Sequence, residues 1–112
     1  MQLKTLLTQP QLSLAQKLSL FGLLNLGVIE SLANGLLSAG DALQLFYHGD
    51  NCRFVRKELR DKIADRIMSH GVQLPDLFDI LPVKDAHRAF QQELATMRAL
   101  CLKLLEKRRL VA

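Results

Sequence analysis

The sequence predicts an all-α fold, a compact bundle of four main helices plus one short proline-bounded helix, and three observations carry that expectation. Leucine fills 25 of 112 positions, while aromatic residues make up 5% and prolines number three, so aliphatic, helix-favouring side chains must build the core. Apolar residues recur at intervals of three and four over long stretches. Between those stretches stand residue pairs suited to ending one helix and capping the next. The length suits a single domain, residues 1–112, and no repeat, low-complexity run or linker divides it.

The first helix is expected from Leu14 to Ala33, with Ser13 as N-cap after the Pro10 breaker. On a helical wheel Gln16, Lys17, Gly27, Glu30, Ser31 and Asn34 share one arc, and Leu14, Leu18, Leu20, Phe21, Leu24 and Leu32 fill the opposite side, flanked by Leu23 and Val28. That apolar arc is wider than the ~100° stripe of a surface helix. Such a surplus predicts a homodimer, with Leu18, Phe21, Leu24, Asn25 and Leu32 as the self-contact. Asn25 within the arc either pairs across the twofold axis or caps a local break between Gly22 and Gly27.

Asn34-Gly35 suits a left-handed helix end. Ser38 and Asp41 form a capping-box pattern that opens a short helix from Ala39 to Tyr47. His48-Gly49-Asp50-Asn51 closes it and caps a third helix, Cys52 to His70, whose apolar residues Cys52, Val55, Leu59, Ile63 and Ile67 keep helical spacing up to Gly71. Pro75 is expected to start the short helix that ends before Pro82. The last helix runs from Val83 to Arg109, on a heptad seam of Val83, His87, Phe90, Leu94, Met97, Cys101, Leu104 and Arg108. His87 on that seam is expected as a buried neutral imidazole that makes association sensitive to pH.

Charge is distributed unevenly. Residues 1–51 hold two lysines against three carboxylates, whereas the remainder holds 13 basic and 8 acidic residues within a net charge of +4. Arg53, Arg56, Lys57 and Arg60 flank the apolar stripe of the third helix as a basic ridge, suited to pairing with an acidic protein surface. A second assignment comes from the outline at 39–70, where a short helix, a turn and a basic helix resemble a helix-turn-helix. That resemblance implies nucleic-acid contacts by Asn51, Arg53, Arg56, Lys57 and Arg60, joined by Lys107, Arg108 and Arg109 of the basic tail.

Motifs of catalysis are missing from the sequence. It carries no phosphate-binding glycine loop, zinc-protease HExxH, EF-hand loop or nucleophile elbow. Cys52 and Cys101 stand 49 positions apart with no CxxC, so neither structural zinc nor a disulfide scaffold is indicated. His48, Asp50, Cys52, His70 and Asp79 are the scattered groups from which an enzyme site would have to be built, and the turn at Gly49 keeps His48 and Cys52 off a common face. Leu18–Leu37 is long enough to span a bilayer but is interrupted by Asn25, Glu30, Ser31 and Asn34, so membrane insertion is not expected. The start lacks the pattern of a secretory signal. The expectation is a non-enzymatic, cytoplasmic adaptor or regulatory module without cofactor or metal.

Overall fold

Ser13 opens the first long helix through contacts confined to four residues. Its hydroxyl accepts from the Gln16 N–H at 3.1 Å, and the Gln16 side chain accepts from the Ser13 N–H at 2.8 Å, closing a capping box. Ser38 and Asp41 repeat the device at 3.0 and 3.1 Å. The Ser38 backbone and side chain hold the Asp41 carboxyl below the usual carboxylate range.

The computed structural model describes residues 1–107, in which these caps begin two of six α-helices. They are α1 (Leu3–Leu7), α2 (Leu14–Ala33), α3 (Ala39–Leu45), α4 (Gly49–Phe54), α5 (Lys62–Ile80) and α6 (Val83–Lys107). A π-helical turn, Val55–Leu59, joins α4 toward α5. No strand occurs among the described residues.

The centre of the fold is α6, which packs on both α5 and α2. Both neighbours run antiparallel to it. On one side His70 meets Glu93 at 2.6 Å and Phe78 meets His87 and Phe90; on the other Glu30 meets Arg98 at 3.1 Å and Gly22 faces Leu105. Phe90, Leu94, Met97, Cys101 and Leu104 of the heptad seam are buried. Val83 and His87 are exposed. The expected buried His87 is therefore corrected to a surface imidazole edge-on to Phe78, and Arg108 of the seam lies outside the described residues.

Two helix boundaries also differ from expectation. The third helix does not run from Cys52 to His70. It ends at Arg60, whose backbone is left-handed (φ 48°), and Asp61 starts α5 by accepting from Ile63 N–H and Ala64 N–H at 2.9 and 3.0 Å. The break is local: the chain passes through one π-helical turn, and Val55 and Leu59 are both buried in the core. At the other end, the expected stop at Gly71 and separate helix at Pro75 are turns of the single helix α5. Gly71 faces the Tyr47 ring so closely that an added Cβ would overlap it. Pro75 has no N–H to return to the Gly71 carbonyl, one turn earlier. Packing of α5 against α6 and α3 carries the helix through both positions.

Only part of the apolar surplus of α2 closes within the chain, and Leu14, Leu20 and Leu23 stay exposed. Leu18, Phe21, Asn25 and Leu32 are at most 3% exposed and Leu24 is half-buried, because α6, α5, α3 and the π-helical turn all pack on this helix. The expected self-contact through these five residues is thereby corrected to an internal core. Asn25 neither faces a twofold axis nor caps a break. Its Oδ1 accepts from the Tyr47 hydroxyl at 3.0 Å and its Nδ2 donates to the Phe21 carbonyl at 2.9 Å.

The helix α1 has no counterpart in the sequence expectation. Leu3 and Leu7, one helical turn apart, are 0% and 1% exposed, and that spacing is the one sequence signal that marks it. No helix among the described residues is long and apolar enough to cross a membrane.

Candidate interaction face

The π-helical turn places one set of side chains inward and another outward. Val55 and Leu59 are buried, while Arg56, Lys57 and Glu58 between them are exposed. Arg60 follows, also exposed, with its Nε donating to the Lys57 carbonyl at 3.0 Å. A left-handed backbone at a non-glycine residue costs about 1–2 kcal/mol, and such strain and π-turns concentrate at functional positions. Lys62 and Arg66 on the first turns of α5 are exposed on the continuation of the same segment. Six basic and three acidic residues fall between 53 and 66, making this the most cationic stretch of the described chain.

The four ridge residues do not share one helical face as expected. Arg53 is engaged by Asp50 one turn earlier on α4. Lys57 and Arg53 line a cleft of about 480 Å³ with Lys4 of α1, together with Asp50 and Glu58. Arg56 lies across the segment in a separate depression of about 280 Å³, beside Cys52 and Asp65. The ridge is thus a convex knuckle with cations on two sides.

The residues of the helix-turn-helix outline are dispersed. Asn51 is 1% exposed and cannot reach a base edge, since its side chain is spent on the Leu3 N–H and on the Met1 and Phe46 carbonyls. A long recognition helix is likewise replaced by six residues of α4 and the π-turn, and α3 packs on α5. Lys107 is exposed at the end of α6. Arg108 and Arg109 lie outside the described residues.

Most of the scattered titratable groups have partners within the fold. His48 does not close a helix; it caps the start of α4, where its Nδ1 accepts from the Asn51 N–H. His70 lies inside α5 and reaches Glu93. Cys52 is half-buried with its thiol donating to the Tyr47 carbonyl at 3.7 Å. Burial pushes that thiol up, opposed by Arg56 and Arg53 and reinforced by Asp65, so the nucleophilic thiolate is disfavoured. Asp79 is exposed near the end of α5. No three His, Cys, Asp or Glu side chains gather as metal ligands among the described residues.

A third concavity, about 630 Å³, opens at the opposite end of α5. Leu32, Leu37, Pro75, Phe78, His87 and Phe90 line it. Its lining is mostly apolar, with Ser38, His87 and Gln91 among it, and carries no Lys or Arg.

A protein-family model described as "Protein of unknown function (DUF3969)" matches residues 15–111, which include the whole of the cationic knuckle. Neither the curated proteins nor the solved structures contain a match to the chain.

Proposed function

Because the chain belongs to the DUF3969 family, whose function is unknown, we propose a function from its own surface: it is a non-enzymatic adaptor that binds an acidic protein surface through Arg56, Lys57 and Arg60. The observation that carries this proposal is the π-helical turn. Val55 and Leu59 on it are anchored in the core, and three exposed cations stand between and just after them. Rigid presentation lowers the ordering cost of binding, and an arginine held in place pairs a carboxylate through two parallel hydrogen bonds. Arg53 contributes less, since Asp50 already neutralises it. A homodimer built on Leu18, Phe21, Leu24, Asn25 and Leu32 is not part of the proposal, because the fold already covers those residues.

Fluorescence anisotropy with a labelled glutamate-rich peptide tests it. Wild-type protein should bind at low salt, lose affinity as salt rises, and lose about tenfold or more on R56A/K57A double substitution. Equal binding by wild type and variant removes the knuckle as the site. Mixed-sequence duplex DNA in a parallel titration distinguishes the partner class: tighter, steeply salt-dependent binding to duplex than to peptide would replace the acidic protein by nucleic acid.

A further inference from the structure

Five residues are far too few to form a helix alone in water, where about 12–15 are needed, so α1 exists only because the rest of the chain holds it. The hold has two parts. Leu3 and Leu7 point the same way and are buried. Before them, the backbone is clamped: Leu3 N–H donates to Asn51 Oδ1 at 2.9 Å, and the Met1 carbonyl accepts from Asn51 Nδ2 at 3.1 Å. His48 completes the clamp. The Met1 carbonyl can only accept, so the His48 Nε2 at 3.0 Å carries the proton, which leaves Nδ1 free to accept the Asn51 N–H.

This is how proteins capture a foreign helix: two apolar anchors one turn apart, with main-chain bonds that fix its start. It is also a site recognised by its own chemistry. With α1 in place the Asn51 amide is 1% exposed, and two of its bonds are made to this segment. An incoming segment that restores both bonds brings a carbonyl and, two residues later, an N–H. Leucines must stand at that second residue and four positions beyond. The anchoring residues Phe46, His48 and Asn51 fall inside the family match, whereas α1 precedes it. A stretch without regular helix, residues 8–13, ties α1 to α2.

We infer that the surface beneath α1 is a docking groove for a short leucine-bearing helix of a partner protein, and that α1 is its tethered, releasable occupant. Partner binding displaces α1, which then carries Lys4 away from the cleft it shares with Arg53 and Lys57.

A fluorescent peptide with the sequence of residues 1–9 is the probe. Titrated into full-length wild type it competes with a tethered copy at roughly millimolar effective concentration; titrated into L3A/L7A it does not. The variant should bind at least about tenfold tighter than wild type, and adding N51A should abolish that gain. No difference between wild type and a folded L3A/L7A overturns the proposal. Hydrogen exchange on the wild-type chain is an independent test. The Leu3–Leu7 amides should exchange well before those of Ile29 and Met97, and exchange only together with them shows α1 to be an integral part of the core and overturns the proposal equally.

Discussion

The Tyr47 hydroxyl donates to Asn25 Oδ1 at 3.0 Å between two side chains that are at most 1% exposed and 22 positions apart in sequence. This bond joins α2 to the segment after α3 in the middle of an otherwise aliphatic core. Tyr47→Phe deletes the donor and strands the amide oxygen, a loss of about 1–3 kcal/mol in chemical denaturation. Pairing it with Asn25→Leu removes the stranded acceptor too. The double variant should then be less destabilised than the two single losses added together.

Gly71 makes room for that same tyrosine. Alanine in a helix interior ordinarily gains about 1 kcal/mol over glycine, yet here its methyl would occupy the Tyr47 ring. Overpacking costs about 1–3 kcal/mol, and a displaced ring also forfeits the Asn25 bond. Gly71→Ala should therefore destabilise by about 1–3 kcal/mol net, measured by urea unfolding. A more stable Gly71→Ala would show that the ring has slack.

Arg60 separates stability from binding. Glycine relieves the left-handed strain, about 1–2 kcal/mol, and gives back roughly half of that in unfolded-chain entropy. Arg60→Gly should be more stable than wild type by about 0.5–1 kcal/mol while binding the acidic peptide more weakly. A variant that is stabilised and binds unchanged would show the strain to be unconnected with the partner.

Alkaline pH should unfold the protein through its buried acids. Burial pushes the Cys101 thiol up to about 12, and raises Tyr47 chiefly by burial and secondly by the neighbouring Cys101. Both groups give up their protons more easily in the unfolded chain, so the contribution of keeping them neutral is complete below about pH 9. Stability should decline as pH climbs from about 9 toward about 12. Thermal melts across that range, with Cys101→Ser as control, measure the effect. A thiol reagent at neutral pH should label half-buried Cys52 ahead of Cys101.

What was legible in the sequence follows the range of the interaction concerned. The caps at Ser13 and Ser38 close within four residues, and the seam from Phe90 to Leu104 repeats at helical intervals, so both could be read directly. The cationic segment was equally visible by composition. Its division between two concavities was not, because the π-turn and Arg60 depend on how Val55 and Leu59 meet α2 and α5. Gly71 and Pro75 misled because they are weak local breakers, about 1 and 3 kcal/mol, set against the packing of an entire helix. The clamp of Asn51 on α1 spans 48 positions and left only the Leu3–Leu7 spacing as a trace.

By itself the sequence determined an all-helical chain, three of its six described helix starts and the location of its positive charge, since propensity, capping and composition act over a few residues. Tertiary structure alone decided which face of α2 its own chain covers, that Asn25 meets Tyr47, and that Asn51 holds α1. Each of those outcomes depends on which distant surfaces become neighbours, and a wheel drawn for one helix shows how much apolar surface must be covered without showing what covers it.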